Sequence, residues 1–183
     1  MSMKQPTKLY SVNIPAAAAG AFRVGKPHRL GDTHLYHGET SIMSDRALEF
    51  AEAIPFLDAA HGDVLCAGLG LGVLHKALME NDKVKSVTIV EKYQDVIDLV
   101  WDHCEKDDRF RLIHADIYDI HFDKNNDLFD VGWFDSWTSE TGGPDNPFDP
   151  FNYEKDMIER FEPFVKEMFF WKDSRTCDWI EQG

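Results

Sequence analysis

The stretch DVLCAGLGLGVL, residues 63–74, decides the fold. Asp63-Val64-Leu65-Cys66-Ala67 is a short apolar run that meets Gly68, and residues 73–79 then take on helical character, so the segment reads as strand, glycine turn, helix. Glycines at 68, 70 and 72 allow a tight turn and a close approach of a ligand to the backbone, with the free N–H groups of a helix start nearby. The dinucleotide spacing G-x-G-x-x-G would put its third glycine at position 73, where Val73 stands, which counts against a nicotinamide enzyme.

The alternation repeats downstream. Residues 87–90, 110–114 and 129–134 read as further strands, 94–104 as a helix, 154–165 as a last helix, and 168–171 as a fifth strand. Strands separated by helical stretches of this length predict parallel βαβ units with right-handed crossovers, hence an α/β, Rossmann-like three-layer sandwich whose mainly parallel sheet has about five strands. Between positions 138 and 152 the glycines and prolines mark a loop long enough to be a lid.

Upstream, Ala47, Phe50, Ala51, Ile54 and Leu57 recur at helical spacing, with Ser44 or Asp45 expected to cap and Pro55 expected to kink or end the helix. Residues 1–43 read as loops with one or two short strands, 34–36 being the clearer. At 183 residues and 43% hydrophobic content the chain is expected to be a single domain: N-terminal loops and short strands over 1–43, a Rossmann-like core over 44–172, and a tail over 173–183.

Three further positions add chemistry to the glycine turn. Glu91 ends the second strand 19 residues beyond Gly72, the place from which a carboxylate accepts hydrogen bonds from two ribose hydroxyls. Asp116 follows a strand 25 residues after Glu91 and can accept from the exocyclic amine of adenine, with Ile117 packing on the ring. Asp135 ends the fourth strand in the run Trp133-Phe134-Asp135-Ser136-Trp137 and is the candidate catalytic residue. It is placed either to bind an amino group of the ligand or to take a proton from an attacking nitrogen or oxygen. Trp137 reads as a lid aromatic or as a cation-π partner.

Taken together, "DVLCAGLGLGVL", "SVTIVEK", "RLIHADI" and "FDVGWFDSW" resemble the class I S-adenosylmethionine-dependent methyltransferases, and more narrowly the branch shared with spermidine synthases, over roughly residues 40 to 172. The resemblance implies that S-adenosylmethionine lies over the carboxyl ends of the glycine strand and the fourth strand. It implies cofactor binding by Ala67, Gly68, Leu69, Gly70, Gly72, Glu91, Lys92, Asp116 and Ile117, with Asp135 at the site of transfer. Methyl transfer to a small or medium-sized acceptor is the expected reaction. Asp135-Ser136 also matches the aspartate-serine pair of spermidine synthases, so aminopropyl transfer is an alternative, as is a protein that binds an adenosyl ligand without catalysis. Family members continue into sixth and seventh strands, whereas this chain runs 12 residues past Trp171, so a truncated sheet is expected.

Charge and cysteine usage bound the partners. With 33 acidic and 19 basic residues the formal charge is -14, which disfavours nucleic acid and anionic membrane faces as partners. Cys66, Cys104 and Cys177 form no C-x-x-C pair, and the eight histidines lack companions at ligand spacing, so neither a disulfide framework nor a metal is expected. No apolar run approaches a membrane span and the N-terminus has no signal-like apolar core, which predicts a cytoplasmic protein with a small-molecule substrate and a possible homo-oligomeric state.

Overall fold

The computed structural model describes residues 10–27, 32–136 and 150–171. Trp137, most of the proposed 138–152 lid and the 173–183 tail lie outside the described residues. The core is a five-stranded parallel sheet built from β5 (Gly62–Ala67), β6 (Val84–Glu91), β7 (Phe110–His114), β8 (Phe129–Phe134) and β9 (Val165–Phe170), in the order β7-β6-β5-β8-β9. Counted within the sheet this is third, second, first, fourth, fifth, the order of a Rossmann-like α/β domain, with the switch point between β5 and β8.

Side-chain alternation decides which layer each strand feeds. Val64 and Cys66 of β5 join one core cluster with Phe56, Leu78, Val96 and Val100, whereas Leu65 and Ala67 join a second with Met157 and Phe161. A strand buried on both faces needs apolar residues at every position, which is why residues 63–67 read as a continuous run. The first cluster packs α2 (Ile54–Ala59), α3 (His75–Met79) and α4 (Gln94–Val100) on one face, and the second packs α5 (Pro150–Phe161) on the other.

The N-terminal region is more ordered than expected. β1 (Ala17–Ala19), β2 (Phe22–Gly25), β3 (His34–His37) and β4 (Thr40–Ser44) form a four-stranded antiparallel sheet, not one or two isolated strands. The Asp45 carboxylate accepts from the amides of Val12 (3.0 Å) and Thr33 (2.6 Å), joining segments far apart in sequence, and so it caps no helix. Ser44 is equally occupied, donating its amide (2.8 Å) and hydroxyl (2.5 Å) to Glu49. The helix that follows begins instead after Arg46 with no side-chain cap.

The single helix expected around residues 44–57 is two: α1 (Ala47–Glu52) and α2, broken at Ala53 with Pro55 in the first turn of α2, where a missing N–H costs nothing. The break shifts the phase, so Ala53 and Phe56 are buried while Ile54 is 44% exposed. Two other boundaries move. α4 stops at Val100, and α5 spans Pro150–Phe161, ending before Pro163, so that Val165 opens β9 opposite Phe129. Replacing Asp45 by alanine strands two amides and is expected to cost about 1–3 kcal/mol, read as a lower urea midpoint with faster hydrogen exchange at Val12 and Thr33.

Candidate functional site

The carboxyl ends of the central strands converge on one region because their backbones are tied in sequence. The Gly68 amide donates to the Val90 carbonyl (2.8 Å), that of Asp135 to Ala67 (3.0 Å), and that of Ala115 to Glu91 (3.0 Å). Over these ends lies a cavity of about 670 Å³, within the range of small-ligand sites. Its lining includes Gly68, Leu69, Gly70, Gly72, Glu91, Lys92, Asp116, Ile117 and Asp135. Ala67 does not line it; that residue is fully buried in β5 and touches the site through its carbonyl.

Glycine is required at two points of the loop. Gly68 (φ 105°) and Gly70 (φ 52°) adopt left-handed backbone, and a methyl group would run into the Asp135 carbonyl oxygen at the first and the Met43 sulfur at the second. Glu91 holds the loop in place. Its carboxylate is buried and accepts from the amides of Leu69 (2.9 Å) and Tyr93 (2.9 Å). Burial raises its proton affinity, while the amides of Tyr93, Leu69, Lys92 and Gly70 act in the opposite direction. Of these amides, those of Leu69 and Tyr93 make hydrogen bonds, one to each oxygen, so each oxygen keeps a second acceptor position.

Asp116 already has partners. Its carboxylate pairs with Lys92 (2.8 Å) and accepts from the Tyr118 amide (3.0 Å). Partial burial works against its charge, and these two partners outweigh burial, holding the acid below the usual carboxylate range. A ligand amine reaching Asp116 therefore competes with Lys92. Ile117 is buried in the α5-side cluster and presents an apolar wall beside that pair.

Asp135 is the opposite case, for no described residue gives its carboxylate a hydrogen bond or ion pair. It is half-buried, and burial first, then Glu52, Glu49 and Glu91, push its pKa up to about 7. Neighbouring Ser136 shares a 2.6 Å hydrogen bond with the Tyr153 hydroxyl of α5.

Several lining residues carried no sequence signal. Met43, Glu49 and Phe50 come from β4 and α1, and Tyr153 and Asp156 from α5. Glu49 falls between the apolar positions of the α1 pattern, and the folded chain brings it into the cavity lining. Among the described residues no group of three His, Cys, Asp or Glu side chains is placed to hold a metal, and no helix is long and apolar enough to cross a membrane.

No family model matches the chain, and no curated protein matches it in sequence. Among solved structures it is similar to spermidine synthase from Thermotoga maritima, with a TM-score of 0.49 and 18% identity over 68% of this chain and 48% of that one. It is similar also to a spermidine synthase in complex with the transition state analogue AdoDATO (TM-score 0.47, 16% identity, 68% and 49% covered). A third is a dimethyladenosine transferase from Plasmodium falciparum (TM-score 0.46, 16% identity, 69% and 42% covered). The chain spans about half the length of the solved structures it matches. The fold is Rossmann-like α/β by its own strand order, with one cavity at the switch point.

The raised acid at Asp135 has a consequence for stability. The folded state keeps a proton that the unfolded chain releases near pH 4, so this group weakens the fold as pH rises from about 4 to about 7. Asp135→Asn removes that loss. Its melting temperature is expected to match the parent near pH 4 and to exceed it by an amount that grows up to about pH 7 and then levels off, measured by calorimetry across pH.

Proposed function

We propose that this protein binds S-adenosylmethionine in the switch-point cavity and transfers its methyl group to a small or medium-sized acceptor. The observation that carries this reading is the sharing of one cavity by the glycine loop, the Glu91 carboxylate fixed against that loop, and Asp135, to which no described residue gives a hydrogen bond or ion pair. The residues fit an adenosyl donor. Glu91 has acceptor capacity for ribose hydroxyls, Ile117 offers an apolar face for a base, and Gly68 and Gly70 leave room where a side chain would collide. When bound, the donor supplies an electrophilic methyl carbon on a sulfonium.

The chain's own work is alignment, desolvation and proton handling. Aligning two reactants and excluding water provides most of what an in-line displacement needs. Asp135, with a pKa of about 7, is poised either to hold an ammonium group or to accept a proton from the acceptor. The chain's charge of -14 and the carboxylates in the cavity support a small molecule over nucleic acid as acceptor.

Aminopropyl transfer is a second reading, favoured by the Asp135-Ser136 pair and by Glu49 and Asp156 in the same lining, which suit a cationic substrate. It predicts methylthioadenosine as product and preference for the decarboxylated donor, whereas methyl transfer releases S-adenosylhomocysteine. A protein that binds without catalysis releases neither.

Calorimetric titration with S-adenosylmethionine, S-adenosylhomocysteine and NAD tests the ligand. We expect micromolar binding of both adenosyl ligands, none for NAD, and a loss of at least about tenfold in Glu91→Ala, the scale of one lost charged hydrogen bond. Absence of adenosyl binding in the parent protein would remove the proposal.

A further inference from the structure

The pleat of the sheet sends successive side chains at the end of β8 to opposite faces. Trp133 and Asp135 are two residues apart at the end of β8 and so face one side, where Phe56 lies 5.4 Å from Trp133. Phe134 turns to the other side, against Phe161 (5.5 Å) and Phe170 (5.3 Å). Trp171 follows β9, donates its amide to the Phe134 carbonyl (3.1 Å) and so comes level with Asp135. α1 brings Glu49 and Phe50 to the cavity, and small Ala53 sits at the junction of the two helices. Glu49, Phe50, Ala53, Trp133, Asp135 and Trp171 line the same cavity as the glycine loop and form its β8 side.

Two carboxylates on this side differ in how they are held. Glu49 is fixed by the Ser44 amide and hydroxyl, which set its position without neutralising its charge. Asp135 carries no hydrogen bond or ion pair from any described residue. Among the described residues, Lys92 is the one lysine or arginine lining the cavity, and it is engaged by Asp116 on the Ile117 side. Beside Asp135 the lining combines apolar and aromatic side chains, Phe50, Ala53, Trp133 and Trp171, with the Ser136 and Tyr153 hydroxyls, which are hydrogen-bonded to each other.

We propose that the acceptor is a monoamine with an apolar body, its nitrogen held between Glu49 and Asp135 and its body against Phe50 and Trp171. The inference rests on the adenosyl reading of the glycine-loop side. An anionic acceptor would meet two carboxylates and, among the described residues, no lysine or arginine free to offset them, which disfavours it. A cation on an apolar body gains both from the carboxylates and from aromatic faces.

The proton balance closes within the site. Asp135 takes one proton from the incoming ammonium. The freed nitrogen lone pair forms the bond to the donor methyl carbon while the carbon–sulfur bond breaks, its electron pair staying on sulfur. The products are the methylated ammonium, a neutral thioether and a protonated Asp135, and the total charge is unchanged.

The test is equilibrium binding to the protein saturated with S-adenosylhomocysteine, using 2-phenylethylamine, the alcohol of the same shape, 3-phenylpropionate and putrescine. We expect the amine to bind at least about tenfold more tightly than each of the other three. Glu49→Gln should lower amine affinity about tenfold and leave that of S-adenosylhomocysteine and of the alcohol unchanged, which separates a binding role from a folding defect. Equal affinity for amine and alcohol, or tighter binding of the propionate or putrescine, with S-adenosylhomocysteine bound normally, would overturn the monoamine inference and leave the donor reading standing. Failure to bind S-adenosylhomocysteine at all would overturn both.

Discussion

A carboxylate inside a protein survives only where hydrogen bonds replace the water it has lost, and the buried Glu91 meets that condition with the chain's own amides. One amide belongs to Leu69 in the loop after β5 and the other to Tyr93 in the turn after β6. The constraint therefore binds the ends of two adjacent strands to one side chain. It also explains why α3 starts at His75 and not at Val73. Residues 68–72 are committed to a path with left-handed glycines that keeps the Leu69 amide on Glu91, and the helix begins only once that path is complete. The open space above the strand ends follows from the same arrangement.

What encloses that space is less local. β5 supplies both core faces through alternate residues, and α5 covers one of them. On the other, α1 and the N-terminal antiparallel sheet bring Phe22, Leu35, Met43 and Phe50 over the glycine loop. Asp45 stabilises that cover by tying Val12 to Thr33, and Phe22 packs 4.9 Å from Tyr93, beside the Glu91 turn. The residues proposed to bind the donor thus come from the parallel sheet, and much of the enclosure from a segment outside it.

This division also explains how much could be read from sequence. Residues 63–72 and Glu91 were legible because a doubly buried strand, a glycine turn and a strand-end acid each leave a local mark. Asp135 was legible by its place after the fourth apolar run. The four-stranded N-terminal sheet was not, since strands of three to five residues draw their stability from partners and not from their own pattern. Ser44 and Asp45 had the right chemistry for a helix cap, but stronger claims from Glu49 and from the Val12 and Thr33 amides took their side chains elsewhere. Glu49 and Tyr153 became site residues through the packing of α1 and α5, which no spacing rule reports.

The energetic position of Asp135 bears on function independently of any resemblance. Its carboxylate is partly desolvated, receives no hydrogen bond from any described residue, and lies in the field of Glu52, Glu49 and Glu91, so that its ionised form opposes folding at neutral pH. Glu91 shows that the same sheet end can supply a buried acid with backbone donors. In the proposed reading the partner of Asp135, which no described residue satisfies and which faces the cavity, is the ligand. A positive charge arriving there relieves the repulsion among the carboxylates, so the destabilisation that ionised Asp135 brings becomes part of the affinity for a cation.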